Sequence, residues 1–427
     1  MIRSKQFFLI CMLLLPFIPT KASLKPRGVV LPITKDDATK QYITTIYQRS
    51  PLLQLKATFN LGGSNFWVDC ESQYSSSTYK YIPCRSRACK IAGSKFCFRK
   101  CNAQPNCTDN TCGTIVNNPF THDIELRPLG EDTMSLRASN GQTVTLSSVL
   151  FGCATASLAS NLAKGVSAFA GFGWATGSLP YQISSTLKFT KKFAVCLNSV
   201  GVNGFILLGD GPFVFSSDII ASDYLFYTPL VKNPVSTSDG DFQRDASTDY
   251  FIQVTSIEIN GNPIPLNSSL LTVDEKGNGG TKISSIVPYT TMQSTIYDSL
   301  INAVASAMSR VPRVSNVFPF ALCFNRTYIG STRLGPGVPE IDFVLHDKDT
   351  VWRFFGANTM VPVGNDTLCL GFVDGGLKPM TSIVIGGYQL ENTLVQFDIV
   401  GLRFGFSSYL FSLRTNCASY NFSVVVA

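Results

Sequence analysis

The sequence predicts a mainly β protein built from two related halves. Short runs of alternating apolar residues recur along the chain, each bounded by Gly, Pro, Asn or Ser, which is the pattern of half-buried strands. Charged residues make up only 15% of the 427 residues, whereas Gly and Phe number 33 and 31. That composition is typical of a turn-rich, strand-dominated chain. The predicted strands lie at residues 41–47, 54–59, 143–151, 193–197, 205–208, 252–259, 341–345 and 394–397.

Helices are few in this prediction. The clearest one covers residues 291–309, because Met292, Ile296, Leu300 and Val304 recur at helical spacing. Shorter helices are expected at residues 157–163 and 180–185.

A weak internal repeat divides the chain. In the first half, an apolar–Gly turn at residues 58–63 is followed by FAGFG at residues 169–173. In the second half, a loop at residues 280–290 is followed by IVIGG at residues 383–387. The chain is long enough for two domains of about 100–200 residues each. We therefore expect an N-terminal lobe at residues 23–226 and a C-terminal lobe at residues 227–427, with the crossing at residues 227–230.

The first residues carry a targeting pattern. Arg3 and Lys5 precede an apolar run at residues 7–18, and Thr20-Lys21-Ala22 follows as a small-x-small cleavage site. This pattern predicts a secretory signal peptide at residues 1–22. The apolar run is too short for a membrane span, which disfavours an uncleaved anchor. We expect an exported protein with no membrane span.

The charge balance limits the partners. The formal net charge is +7, of which Arg3, Lys5 and Lys21 contribute three charges, so the mature chain carries about +4. This mild basicity suits an acidic partner or a polyanionic cell wall. No stripe of Lys and Arg with interleaved aromatics is present, which argues against nucleic acid as a partner.

The cysteines predict disulfides. Cys11 lies in the signal, which leaves an even number for an exported chain. The six cysteines between residues 84 and 112 could be interpreted as a zinc module. The export signal, the lack of paired Cys-x-x-Cys spacing and the presence of only two histidines (His122 and His346) favour disulfides instead. We expect no metal and no cofactor. The predicted disulfide cysteines are Cys70, Cys84, Cys89, Cys97, Cys101, Cys107, Cys112, Cys153, Cys196, Cys323, Cys369 and Cys417.

Five Asn-x-Ser/Thr sequons are candidate glycosylation sites in a secreted chain. They are Asn106, Asn267, Asn325, Asn365 and Asn421.

Residues 58–70 (TFNLGGSNFWVDC) resemble the first active-site turn of pepsin-like aspartic proteases, in which an apolar strand leads into Asp-Thr-Gly-Ser and then Trp-Val. Asn60 stands at the aspartate and Leu61 at the threonine. In the second half, Ser284 stands at the second aspartate and Ile286 at the turn glycine. The flap region, residues 113–126, contains no tyrosine.

The resemblance extends over essentially the whole mature chain. In the C-terminal part it is carried by residues 386–392, 395–398 and 403–407. Within the pepsin-like superfamily the chain is most similar to a plant extracellular subgroup that includes extracellular dermal glycoprotein, basic 7S globulin and the xylanase inhibitors. The marks of that subgroup are residues 32–36, 110–113 with 118–119, 281–285 with 288–290, and 331–336 with 338–339.

The resemblance implies a bilobal pepsin-like fold with two β-barrel lobes and a central cleft, located outside the cell in the apoplast or cell wall. It also implies the disulfides Cys70–Cys153, Cys196–Cys417 and Cys323–Cys369, with the six clustered cysteines paired largely among themselves.

The same substitutions predict that the protein is not an enzyme. An aspartic protease needs two carboxylates that share one proton, and neither Asn60 nor Ser284 can supply a general base at the turns. A residual aspartic endopeptidase is the least favoured alternative.

The subgroup implies a different activity, inhibition of microbial glycoside hydrolases in plant defence. A glycosidase cleft holds two carboxylates, and a guanidinium pairs with a carboxylate in a bidentate manner. Arg333 and Arg414 match the arginines of the endoglucanase-inhibiting members. The expected target is a xyloglucan-specific endo-β-1,4-glucanase. The alternatives are a xylanase inhibitor and a peptide-binding or storage protein similar to basic 7S globulin, and a cell-wall polysaccharide stays an additional candidate partner.

Overall fold

The structure is a computed structural model that describes residues 27–72, 74–99, 109–199, 201–211, 213–216, 219–237 and 245–420. The predicted signal peptide at residues 1–22 lies outside this part of the chain.

The mainly β prediction is confirmed, with 42% strand and 15% helix. The strands before residue 225 are β1 Gly28–Lys35, β2 Tyr42–Gln48, β3 Leu53–Asn60, β4 Trp67–Asp69, β5 Lys80–Tyr81, β6 Phe96–Phe98, β7 Thr111–Asn118, β8 Asp123–Ala138, β9 Thr143–Ala154, β10 Val166–Gly171, β11 Lys192–Cys196, β12 Gly204–Gly209, β13 Val214–Ser216 and β14 Ile219–Ile220. The strands after it are β15 Phe226–Val231, β16 Tyr250–Ile252, β17 Val254–Ile259, β18 Asn262–Pro263, β19 Thr281–Ile283, β20 Thr290–Met292, β21 Arg313–Val314, β22 Cys323–Asn325, β23 Ser331–Thr332, β24 Gly335–Pro336, β25 Ile341–Leu345, β26 Val351–Phe354, β27 Met360–Val363, β28 Thr367–Leu370, β29 Phe372–Asp374, β30 Ile383–Ile385, β31 Leu394–Asp398 and β32 Arg403–Phe406.

The helices are short and lie between strands. They are α1 Arg87–Ile91, α2 Leu179–Leu187, α3 Ser294–Ala307, α4 Gly356–Thr359 and α5 Gly387–Leu390. Single 3₁₀ turns occur at Ser157–Ala159, Ala221–Tyr224, Ser268–Leu270, Arg326–Tyr328, Leu410–Leu413 and Cys417–Ser419. In the described part of the chain, no helix combines the length and the apolar character that a membrane crossing requires.

The main predicted helix begins later than expected. Met292 lies in β20, which pairs with β29 and β30, and its side chain is fully buried. The helix begins at Ser294 because the Gln293 side chain accepts hydrogen bonds from the amides of Thr295 and Ile296 and so caps the first turn. The predicted helix at residues 157–163 is only the 3₁₀ turn Ser157–Ala159, and the one at 180–185 is the centre of α2.

The predicted strand at residues 252–259 is two strands that belong to different sheets. β16 pairs with β15 and β19, whereas β17 pairs with β18 and β25. The break falls at Gln253, between them.

Six consecutive antiparallel strands join the two halves of the chain. Their order is β1, β12, β11, β31, β32 and β15, so that β11 of the first half pairs directly with β31 of the second. Phe193 of β11 stacks on Phe397 of β31 with ring centroids 4.8 Å apart. The shared strands give both halves one continuous backbone frame. The lobe boundary at residues 226 and 227 falls inside β15 and stays a prediction.

Each half contains the same three-strand crossing. β3 runs parallel to β10, which is antiparallel to β4, and β19 runs parallel to β30, which is antiparallel to β20. Glycine is required where the crossing is tightest, because a Cβ on Gly171 would lie 2.0 Å from the Asn65 carbonyl oxygen. A Cβ on Gly386 would lie 2.4 Å from the backbone of Tyr289. The apolar–apolar–Gly repeat in the sequence therefore marks this crossing.

Disulfides fix several of these elements to one another. The pairs are Cys70–Cys153, Cys84–Cys97, Cys89–Cys112, Cys196–Cys417 and Cys323–Cys369. The three long-range pairs are those that the family resemblance implies. Cys101 and Cys107 lie outside the described residues.

Candidate functional site

The first candidate site is the turn that follows β3. Asn60 ends the strand and is only 9% exposed. Its side-chain Oδ1 accepts a hydrogen bond from the Gly62 amide at 3.1 Å, and its carbonyl accepts one from the Phe172 amide at 2.8 Å. A Cβ on Gly63 would lie 2.9 Å from Asn60 Nδ2, so the turn is closely packed around the amide side chain.

The turn after β19 repeats this arrangement. The Ser284 amide donates to the Ile385 carbonyl at 2.9 Å, and Ser284 Oγ accepts from the Ile286 amide at 3.1 Å. Asn60 and Ser284 therefore occupy matching places, each at the end of a strand that runs parallel to an apolar–Gly strand. Each side chain caps the amide two residues further along.

Ser285 joins the two turns. Its buried hydroxyl donates to the Phe59 carbonyl at 2.9 Å and accepts from the Leu61 amide at 3.0 Å. The matching residue of the first turn is Leu61, which has no hydroxyl, so the reciprocal contact is missing. Sequence analysis did not identify this role for Ser285, although a hydroxyl one residue after a turn position was the available signal.

Replacing Ser285 with alanine should destabilise the protein by about 1–3 kcal/mol, because the buried Leu61 amide and Phe59 carbonyl both lose their partner. Chemical denaturation measures this. Ser284→Ala is the matched control. Its hydroxyl caps one amide in a half-buried position, so the loss should be about 1 kcal/mol or less. Equal losses in the two variants would contradict the bridging role.

The turns offer no acid–base pair. The side chains at the two matching positions are an amide and a hydroxyl. Asp249 lies close to the first turn, but its carboxylate accepts from Lys282 Nζ at 2.8 Å and from Thr237 Oγ1 at 2.6 Å. A Cβ on Gly62 would collide with this carboxylate. Asp249 is thus held as the partner of a lysine.

The groove beside the first turn is partly filled by the chain itself. Thr248 Oγ1 donates to the Gly62 carbonyl at 2.7 Å, and the Thr248 carbonyl accepts from the Trp174 amide at 2.8 Å. Lys95 and Asp245 form an ion pair at 2.8 Å across the remaining space. That space is a cavity of about 200 Å³, smaller than the 300–1,000 Å³ that is usual for ligand pockets.

Hydrogen bonds connect the flap hairpin, which β7 and β8 form, to β4 and to the residues just before it. Asn65 Nδ2 donates to the Ile115 carbonyl at 2.7 Å, and Trp67 Nε1 donates to the Asn117 carbonyl at 2.9 Å. These bonds hold the hairpin close to the first turn.

The second candidate site contains Arg333. This exposed residue lies at the tip of the β23–β24 hairpin. Thr332 Oγ1 donates to the Gly335 carbonyl at 2.8 Å and accepts from the Leu334 amide at 3.1 Å, which fixes the tip. Among the described residues, no carboxylate pairs with Arg333. Its guanidinium is therefore presented to solvent on an ordered turn.

Arg414 lies on a separate ordered segment. It follows the 3₁₀ turn Leu410–Leu413 with a left-handed φ of 57°, and its side chain is exposed. Such a backbone is uncommon for a residue with a side chain. The Arg414 amide donates to the Phe411 carbonyl at 3.1 Å, and Cys417, three residues later, is bonded to Cys196. No ion pair of Arg414 is found in the described part of the chain.

The sequons that the structure describes lie at or near the surface. Asn267 and Asn365 are exposed, and Asn325 is half-buried. Asn106 and Asn421 lie outside the described residues. In the described ranges, no group of His, Cys, Asp and Glu is arranged to hold a metal ion.

The fold and its paired turns define the class of protein. Residues 42–210 match the family described as xylanase inhibitor N-terminal, and residues 249–408 match the family described as xylanase inhibitor C-terminal. The protein belongs to this pepsin-fold family, whose members are generally non-catalytic. The family resemblance recognised in the sequence is confirmed.

Individual relatives cover almost the whole chain. The chain is 44% identical to "Probable aspartic proteinase GIP2" of Nicotiana benthamiana over 95% of this chain and 94% of that protein. It is similar to the crystal structure of edgp at 43% identity with a TM-score of 0.91, over 93% of this chain and 99% of the other. It is also similar to the crystal structure of basic 7S globulin from soybean, at 33% identity with a TM-score of 0.80, over 93% of this chain and 99% of the other.

Proposed function

We propose that this protein is a secreted, non-catalytic inhibitor of microbial glycoside hydrolases, with a xyloglucan-specific endo-β-1,4-glucanase as its preferred target. Arg333 and Arg414 enter the target's cleft and pair with its catalytic carboxylates. The observation that carries the proposal is the pair of exposed guanidinium groups, each on a well-fixed backbone and each without a carboxylate partner in the described structure.

The absence of catalysis is supported by the two turns. By the sequence resemblance, Asn60 and Ser284 stand where a pepsin-like protease carries its catalytic aspartates. In the structure, both side chains cap backbone amides. A water-activating pair needs a carboxylate base. Neither position provides one.

Inhibition is supported by the chemistry of the target. The two carboxylates of a glycosidase face each other across a cleft, and a guanidinium forms two parallel charge-assisted hydrogen bonds with such a group. An inhibitor that presents its arginines on fixed turns loses little conformational entropy on binding. The family description, xylanase inhibitor, supports a partner among the glycoside hydrolases.

Export to the apoplast is part of the same proposal. It is supported by the disulfides, which are typical of extracellular proteins, and by the sequence pattern at residues 1–22. Glycosylation at the exposed sequons Asn267 and Asn365 fits this location.

A storage or peptide-binding role is the second candidate, because basic 7S globulin from soybean shares the fold over nearly the whole chain. If the protein is an inhibitor, xylanase is the second candidate for its target enzyme. The self-filled groove at Gly62 argues against a residual endopeptidase, because Thr248 occupies hydrogen-bonding capacity that an extended peptide would use there.

The test is a titration of the purified secreted protein against a panel of fungal endoglucanases and xylanases, each assayed on its own polysaccharide. We expect stoichiometric inhibition of a xyloglucan-specific endoglucanase. Inhibition confined to xylanases would move the target to the alternative, and inhibition of no enzyme in the panel would favour storage.

Restoring the acids should not restore proteolysis. The variant Asn60→Asp/Ser284→Asp regains two carboxylates, but it keeps Leu61, Ile286 and the Thr248 contact across the groove. We expect no cleavage of denatured protein at acid pH above that of the unsubstituted chain. Cleavage that a pepstatin-like transition-state mimic blocks would contradict this interpretation of the groove.

A further inference from the structure

A buried ion pair links the two halves of the chain. Lys35 of β1 lies with its Nζ 2.5 Å from Glu391 Oε1, and the two side chains are only 7% and 9% exposed. The Tyr42 hydroxyl donates to the same carboxylate oxygen at 3.0 Å. Burial, together with the charge of Glu391, raises the pKa of Tyr42 well above its ordinary value, so this hydroxyl stays a donor.

Burying two charges costs desolvation energy that their attraction does not always recover. A buried pair is therefore weak evidence for stability. The Lys35–Glu391 pair can instead serve to hold neighbouring residues in position, and its contacts identify those residues.

The backbone of Glu391 holds the segment that supports Arg333. The Glu391 carbonyl accepts from Asn358 Nδ2 at 2.8 Å, and Asn358 is almost fully buried. The preceding amide, that of Ala357, donates to the Leu334 carbonyl at 3.0 Å, one residue from Arg333. The contact is tight, because a Cβ on Gly335 would lie 2.2 Å from the Ala357 amide nitrogen.

The next residue, Asn392, holds the segment that carries Arg414. Its carbonyl accepts from the Leu410 amide at 2.8 Å, and its side-chain Oδ1 accepts from the Cys417 amide at 3.3 Å. Leu410 and Cys417 stand on either side of Arg414 in the chain. Asn392 is buried and adopts a left-handed backbone with φ 53°.

We propose that Glu391 and Asn392 are positioning residues for both arginine segments, and that Lys35 from the first half holds them in place. The two segments thus depend on adjacent residues that one buried ion pair fixes. This inference rests on the proposed function, since it assigns what aligns Arg333 and Arg414 toward one target cleft.

The test uses the full secreted chain in two measurements, amide hydrogen exchange and the inhibition constant against the endoglucanase identified by the panel. In Glu391→Gln, Lys35 keeps its charge but loses its partner. We expect exchange of the Ala357 and Cys417 amides to rise together by about tenfold, and inhibition to weaken by about tenfold.

Asp249→Asn is the matched control. It breaks a similarly enclosed ion pair, Lys282–Asp249 at 2.8 Å with side chains 16% and 12% exposed. Within the described residues, this pair makes no hydrogen bond to either arginine segment. We expect the control variant to leave both measurements within about twofold of the unsubstituted chain. If Glu391→Gln does not fold, Lys35→Met/Glu391→Gln replaces it, because removing both charges leaves no buried charge unpaired.

The variant Asn358→Ala tests the contact to the Arg333 segment separately from the contact to the Arg414 segment. It removes the hydrogen bond from Asn358 Nδ2 to the Glu391 carbonyl and leaves the contacts of Asn392 intact. Exchange should therefore rise near Ala357 and stay unchanged at Cys417. Unchanged exchange in the Glu391 variants, or faster exchange with undiminished inhibition, would overturn the positioning role. Absence of inhibition by the unsubstituted protein would instead overturn the proposed function. In that case, the exchange rates alone would still show whether Glu391 and Asn392 hold the two arginine segments.

Discussion

Replacing Arg333 and Arg414 together with alanine is expected to weaken inhibition of the endoglucanase by at least about a thousandfold. Truncating one partner of a buried, hydrogen-bonded charge pair costs about 2–5 kcal/mol. Two such losses therefore amount to about 4–10 kcal/mol, and roughly 4 kcal/mol corresponds to a factor of a thousand in affinity. The inhibition constant measures the effect.

The stability of the same double variant should change by less than about 0.5 kcal/mol, because both side chains are exposed and make no ion pair in the described structure. The matched control is Arg313→Ala/Arg326→Ala, which removes the same charge from two exposed arginines. We expect the control to alter inhibition only slightly. An equal loss in both double variants would reduce the role of the arginines to net charge, and no loss in either would contradict the assignment.

Alkaline pH is expected to unfold the protein cooperatively between about pH 10 and pH 12. Burial raises the pKa of Tyr42, Tyr250 and Tyr388 above the ordinary value, and it raises the pKa of Tyr409 and Tyr420 to about 12. In the unfolded chain these hydroxyls ionise near pH 10. Since the folded-state pKa is raised, the stability is intact below about pH 10 and is lost as the pH rises above it.

The slope of this loss is steep. Each strongly shifted tyrosine lowers the free energy of unfolding by about 1.4 kcal/mol per pH unit above the unfolded pKa. Three of them remove about 4 kcal/mol per unit, a large part of the 5–15 kcal/mol that stabilises a typical protein. Phenolate absorbance and circular dichroism, recorded against pH, measure the transition. Tyr42→Phe should give a shallower slope, and gradual ionisation of all tyrosines with intact circular dichroism would contradict the prediction.

The architecture could be predicted because its signals are local. The apolar–Gly repeats at residues 169–173 and 383–387 identify two equivalent crossings, and the structure shows why only glycine fits at Gly171 and Gly386. The turn at residues 58–63 carried the family resemblance because its glycines and flanking Trp67 are retained around Asn60.

Local patterns fail where a short segment can pair with distant strands. Residues 291 and 292 fit a helix by periodicity, yet they belong to β20 because β29 and β30 lie beside them. The same applies to Gln253, where one apolar run divides between two sheets. Tertiary pairing determines the structure in both cases, and the sequence window does not contain the partners.

The contacts that organise the candidate site are also non-local. Lys35 and Glu391 are 356 residues apart, and Ser285 is 226 residues from Phe59. No spacing rule connects such residues. Cysteine spacing likewise leaves the pairing open, and the long-range disulfides were available only through the family resemblance.

The central claim is that the protein binds the catalytic carboxylates of a glycoside hydrolase and does not cut peptide bonds. The most direct measurement is calorimetric titration with a xyloglucan-specific endoglucanase, once with its catalytic carboxylates intact and once with both replaced by amides. We expect tight one-to-one binding to the intact enzyme, binding to the amide form weaker by at least about a hundredfold, and no proteolysis of either. Equal affinity for the two forms, or cleavage of the partner, would contradict the account.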